Sequence, residues 1–117
     1  MINMSEEILK SNLNEYYQTG LESLKNKHYN SAANEFFKAF ITLCDIAIYR
    51  KLKILPEDHG DRFTILKINF PEIYKADIRL FDIYRKTYKL RLSASEVKKI
   101  QNEVVKIAKL LGIETIL

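Results

Sequence analysis

Lys27-His28-Tyr29-Asn30-Ser31-Ala32-Ala33-Asn34-Glu35-Phe36-Phe37-Lys38-Ala39-Phe40 is the stretch that decides the fold. Its first four residues make a short turn, and from Ser31 the apolar positions recur at helical steps through Phe36, Phe37, Phe40, Leu43, Cys44, Ala47 and Ile48. The spacing predicts a helix from Ser31 to Leu52, with Asn30 as its N-cap. Upstream, Leu9, Leu13, Tyr16, Tyr17, Gly20, Leu21 and Leu24 form one stripe, which predicts a first helix from Ser5 to Asn26. A turn this short makes the two helices antiparallel neighbours. The small Ala32 and Ala33 beside the large Phe36 and Phe37 let them interlock. Gly20, in mid-helix, costs about 1 kcal/mol against alanine, so a close crossing of the neighbouring helix is expected there.

The remaining elements follow from their boundaries. Leu55-Pro56-Glu57-Asp58-His59-Gly60-Asp61 breaks the helical pattern, because proline lacks a backbone donor and glycine favours turns. Asp58 caps a shorter third helix carrying Phe63, Leu66 and Phe70, and Pro71 suits the first turn of a fourth. The fourth runs to Tyr88 with Ile73, Leu80, Phe81 and Tyr84 inward. Ser93-Ala94-Ser95-Glu96 is a capping box that starts a fifth helix, and Gly112 ends it. The expected fold is all-α, an up-and-down bundle of four to five antiparallel helices. The apolar tail Ile113-Glu114-Thr115-Ile116-Leu117 is expected to dock on the bundle or on a second subunit.

Composition agrees with this. A chain of 117 residues suits a single domain spanning 1–117, and three glycines with two prolines are too few turn formers for a many-stranded sandwich. The hydrophobic content of 47% is enough for a core and argues against disorder, while 29% charged residues keep the outside wet. No apolar run approaches the roughly 20 residues that span a bilayer, and the Met1-to-Glu7 start lacks signal-peptide regions, so the expected location is the cytoplasm with no membrane partner. High Lys and Ile content with little Gln suits a thermophile. The single Cys44 sits in an apolar helical stretch and reads as core, and the net charge of +4 is spread among interspersed acids. With no glycine-rich phosphate loop, zinc pattern or calcium loop, no metal or cofactor is expected.

Two resemblances bear on function. Tyr16, Gly20, Tyr29, Ala32, Phe36 and Ala39 resemble one tetratricopeptide unit, the basis for reading the chain as a structural helical adaptor. A step of about 34 residues puts Ile54 where Gly20 should recur and Leu66 where Ala32 should, so no second repeat stacks on the first. The fuller resemblance, over residues 5–111, is to HEPN proteins. It is carried by the His28-to-Phe40 turn and helix, the Asp58-His59-Gly60-Asp61-Arg62 stretch and the closing Tyr84-Arg85-Lys86-Thr87-Tyr88 segment.

This resemblance implies a homodimer that meets its mate or a partner through the fourth helix. It also implies action beside a nucleotidyltransferase in a toxin–antitoxin or defence module, with RNA or a nucleotide as ligand. HEPN ribonucleases carry a histidine separated from an arginine by about four to six intervening residues, to stabilise a phosphate and handle the 2′-hydroxyl proton. Here Leu90, Arg91 and Leu92 follow Arg85 at that distance, and Arg50, Arg62, Arg79 and Arg91 also lack the histidine. Binding without cleavage is the expectation. Arg85 with Tyr88, and His59 with Arg62, each lie one helical turn apart and are the candidate residues of a polar binding cleft. They are also what a noncanonical ribonuclease would use, through Arg85 with Tyr88 or His59. In the plainer reading Arg85 pairs with a nearby carboxylate, Tyr88 shields the core edge and His59 decorates a helix start.

Overall fold

The computed structural model describes residues 4–113 and is all-helical over that span. Helices α1 (Met4–Lys25) and α2 (Tyr29–Leu52) form the expected antiparallel hairpin. They are followed by α3 (His59–Asn69), α4 (Pro71–Arg85), a 3₁₀ turn at Lys86–Tyr88 and α5 (Ala94–Leu110). No helix among the described residues is long and apolar enough to cross a membrane. The proposed docking of the tail lies outside the described residues beyond Ile113, which is buried.

The centre of the bundle is α2. Its sequence stripe predicts one buried face, but Ala32, Ala39, Thr42 and Ile46 are buried as well as the predicted Phe36, Phe37, Phe40, Leu43, Cys44 and Ile48. A helix apolar on nearly every side must be covered on nearly every side. α1 and α5 carry out most of that cover, and the α3–α4 hairpin closes the Phe37 side. Cys44 is a free, fully buried thiol whose pKa is pushed well up by burial, so it acts as core.

Gly20 marks the tightest point of the hairpin. A Cβ built there would lie 2.6 Å from two ring atoms of Phe36, which is itself fully buried and packed against Tyr17 at 5.5 Å between ring centroids.

The caps fall largely where their residue types place them. Asp58 accepts from Asp61 N–H at 2.8 Å, Pro71 occupies the first turn of α4, and Ser93 and Glu96 form both bonds of the capping box. Gly112 takes φ +71°, and the Ile113 N–H to Ala108 carbonyl bond of 2.8 Å closes a Schellman motif at the end of α5. α1 ends the same way without a glycine. Lys27 has φ +61°, and His28 N–H reaches the Ser23 carbonyl at 2.8 Å.

Three boundaries differ from expectation. α3 ends at Asn69, so Phe70, expected on it, sits between α3 and α4. α4 gives way to the 3₁₀ turn after Arg85, three residues before the predicted end. α2 starts at Tyr29, and its N-cap position is His28, with no side-chain cap bond. Asn30 lies inside the helix because its side chain is used elsewhere. Its amide NH₂ donates to the Leu90 carbonyl at 2.7 Å and the Thr87 carbonyl at 3.3 Å, while Oδ1 accepts from Leu92 N–H at 2.9 Å. One side chain thus holds the whole connector between α4 and α5 against the start of α2. At the other end of α2, Arg50 bonds Glu6 of α1 at 2.6 Å and the Leu111 carbonyl at 2.7 Å.

Two stability measurements check this arrangement. Gly20→Ala should lower the urea midpoint and cost about 1–3 kcal/mol from overpacking, net of the helix-propensity gain. An increase in stability would show that the crossing has room. Asn30→Asp should cost about as much as Asn30→Ala, roughly 1–3 kcal/mol, because aspartate cannot donate to the two carbonyls. If Asn30 served only as a cap, the Asp variant would match the native chain.

Candidate functional site

On α2, Asn30, Asn34 and Phe37 follow one another at steps of four and three and therefore share a face. Each supports the same wall. Asn30 holds the connector, Asn34 Oδ1 lies 3.3 Å from the Thr87 hydroxyl, and the Phe37 ring stacks on Tyr84 at 4.5 Å and 17°. Phe81, Tyr84 and Tyr88 recur at three- and four-residue steps along the end of α4 and its 3₁₀ turn. Phe81 also packs edge-on to Phe63 of α3, at 5.6 Å. These rings, with His59 at the start of α3, line an open cleft of about 1060 Å³. Arg85, Lys86 and Lys89 also line it, together with the acidic Asp82.

Three of the four residues singled out from sequence meet here: His59, Arg85 and Tyr88. The fourth does not. Arg62 is 7% exposed and lies behind His59, where Nε and Nη2 form a two-pronged pair with Asp45 of α2 at 2.8 and 3.1 Å. Its Nη1 is 3.2 Å from Nδ1 of His59. Arg62 is displaced from the cleft because Asp45, a long-range partner, draws it into the core.

The plainer readings divide. Arg85 does pair with a carboxylate, Asp82, at 3.2 Å, but both side chains are 62% exposed, where such a pair contributes little and competes poorly with a ligand. The Arg85 guanidinium also lies 5.7 Å from the Phe81 ring centre, a cation–π placement. Tyr88 does not shield the core edge; it is 72% exposed and meets Tyr84 edge-on at 5.8 Å. His59 is part of the ring cluster, 5.5 Å from Phe81 and 6.2 Å from Phe37.

The protonation states follow from these neighbours. Burial and the Arg62 charge together lower the His59 pKa, so its imidazole is neutral at pH 7. The Tyr84 and Tyr88 hydroxyls are 3.0 Å apart, and that hydrogen bond raises the Tyr84 pKa, so Tyr84 stays a phenol. Lys86 pairs with Glu96 at 3.1 Å, whereas Lys89 has no carboxylate partner among the described residues. The cleft therefore combines aromatic rings, a neutral imidazole, three cations and the Asp82 carboxylate. No group of three metal-binding side chains is assembled among the described residues.

No family model, curated protein or solved structure matches this chain. The site is read from its geometry.

Several residues of the site were readable in principle. The 81, 84, 88 spacing puts aromatic residues on the same side of a helix as Arg85, and Asp77 lies on the inward stripe between Ile73 and Leu80. Asp77 is the residue this reading misses most clearly. It is 1% exposed, neither carboxylate oxygen has a hydrogen-bond partner, and burial raises its pKa to about 6 despite the opposing pull of Arg62. Asp45 and Asp77 thus share one buried arginine, and only Asp45 is paired with it in both prongs.

For Asp77 the sign is set by its unfolded value. The unfolded chain releases the proton near 3.8, whereas the folded chain holds it to about 6. Folding is therefore penalised progressively as pH rises from 4 through 6, by about 3 kcal/mol in all. Asp77→Asn should remove this penalty. Its stability relative to the native chain should improve by about 2–3 kcal/mol between pH 4 and pH 7.5. A difference that does not change with pH would contradict the buried, protonated carboxyl.

Proposed function

We propose that this chain is a HEPN-like binding module that holds RNA, or a nucleotide-containing ligand, in the cleft without cleaving it. The observation that carries the reading is a half-buried aromatic cluster, with Tyr88 exposed at its edge, in a cleft also lined by cations. The exposed Tyr88 and the half-buried Phe81 and Tyr84 supply rings for base stacking, which contributes about 1–3 kcal/mol per base, and Arg85, Lys86 and Lys89 line the same cleft as cations suited to phosphates. Stacking faces beside positive charge suit a single strand better than a duplex, whose bases are already stacked.

The chemistry of the groups supports binding without cleavage. A ribonuclease of the HEPN type needs a histidine that follows an arginine with about four to six residues between them, and no arginine here has one. His59 is in the cleft, but its Nδ1 faces a guanidinium, which makes it a weak proton acceptor. Tyr84 is held as a phenol and is a poor nucleophile.

The wider setting is part of the same proposal: a cytoplasmic homodimer acting beside a nucleotidyltransferase in a toxin–antitoxin or defence module, its mate meeting the α4 face. A second reading, a helical adaptor that takes a protein helix in the same cleft, is favoured by one observation. Leu90, 59% exposed, adds an aliphatic side chain to the ring cluster.

Fluorescence anisotropy with a labelled oligouridylate separates these. The native chain should bind with a steep salt dependence. Arg85→Ala and Tyr88→Ala should each weaken binding by about fivefold to a hundredfold, and the oligonucleotide should remain intact. Products that vanish in Arg85→Ala would establish cleavage instead. A lack of RNA binding, with a helical peptide captured equally well by Arg85→Ala, would favour the adaptor.

A further inference from the structure

Asp45, Arg62 and His59 form a chain that runs from the core of α2 to the wall of the cleft. Asp45 takes two hydrogen bonds from the guanidinium, at 2.8 and 3.1 Å, and so fixes the plane of Arg62. The remaining Nη1 then lies 3.2 Å from His59 Nδ1. Arginine can only donate, so Nδ1 must be the acceptor and carry no proton. A neutral imidazole has one proton, which is left on Nε2. Nε2 lies across the ring from Arg62, and among the described residues it has no hydrogen-bond partner. His59 itself lines the cleft beside Phe81 and Tyr84.

We propose that Arg62, clamped by Asp45, is a positioning residue that fixes His59 as the Nε2–H tautomer, and that His59 thereby reads a base of the bound strand rather than its phosphate. This rests on the RNA-binding reading above and names the role of one side chain within it. A neutral N–H donor next to ring faces is matched by an in-plane acceptor, a carbonyl oxygen or an unprotonated ring nitrogen of a stacked base. A phosphate is better served by Arg85, Lys86 and Lys89, which carry full charge in the same cleft. The charged groups that act on His59 are Arg62 and Asp58 from its own side and Asp45 from α2, and α4 adds Asp82, Tyr84 and Arg85 to the same cleft. Of these, Arg62 is the one bonded to the ring.

Two measurements test the proposal. The first is a long-range ¹H–¹⁵N correlation spectrum of the free protein at pH 7. It should show His59 with a protonated Nε2 and a bare Nδ1. An Nδ1–H tautomer or an imidazolium overturns the proposal without reference to any ligand. The second compares His59→Ala and His59→Gln on two probes of equal length, an oligouridylate and an oligonucleotide of abasic residues. His59→Ala should weaken the oligouridylate by about threefold to tenfold and leave the abasic strand unchanged. Gln, whose amide N–H reaches a position like that of Nε2–H, should restore most of the loss. Equal weakening on both probes means phosphate contact and overturns base reading.

If the native protein binds neither probe, the RNA-binding reading fails and base reading fails with it; binding of both with the wrong tautomer overturns the Arg62 proposal alone. Arg62→Lys provides a further check through the spectrum. If it folds, loss of the fixed tautomer supports the proposal and an unchanged tautomer contradicts it.

Discussion

The enclosure of α2 is the constraint on which the rest of the structure depends. A 24-residue helix with buried residues around almost its whole circumference cannot be covered by one partner. α1 approaches closely enough to demand glycine at position 20, α5 covers a second side, and the α3–α4 hairpin closes the third. Because α2 is clamped at Asn30 by the connector and at Arg50 by α1 and the end of α5, its Phe37 face is a stable floor. The cleft is built upon that floor. Its Phe81 and Tyr84 rings are half-buried and held from behind by Phe37, and Tyr88 is exposed, an arrangement that would limit the ordering cost of the proposed ligand.

Buried charge connects this scaffold to the cleft. Two acids, Asp45 and Asp77, face one arginine from different helices, so full ionisation would leave an uncompensated negative charge in the core. The structure avoids this by keeping Asp77 protonated into the range around pH 6, while Asp45 forms the two-pronged pair. Arg62 is thereby committed on two sides and turns its last nitrogen to His59. A side chain that sequence reasoning placed in the cleft works instead from behind it.

What was legible in the sequence is what local interactions decide. The hairpin, the Asp58 cap, Pro71, the Ser93–Glu96 box and Gly112 each depend on residues within a few positions, and each is found where its chemistry puts it. Gly20 was legible because only an external contact explains a mid-helix glycine. The failures are long-range. Asn30 has the composition of a cap, but its partners lie 57 to 62 residues away, and Arg62 has a partner 17 residues back on another helix. The full burial of α2 was underestimated because alanine and threonine on the far side do not mark an apolar face by themselves. Asp77 lies on the inward stripe of α4, but nothing local to it marks a carboxylate buried without a hydrogen-bond partner.

The proposed ligand has its place and its chemistry in the cleft, and a titration of isotope-labelled protein with a short oligouridylate tests both at once by NMR. Ring signals of Phe81, Tyr84 and Tyr88 and the His59 imidazole should shift together and saturate together, while the Lys27-to-Ser31 turn and α1 stay unchanged. Shifts confined to other surfaces, or none at concentrations that saturate binding, would contradict the account.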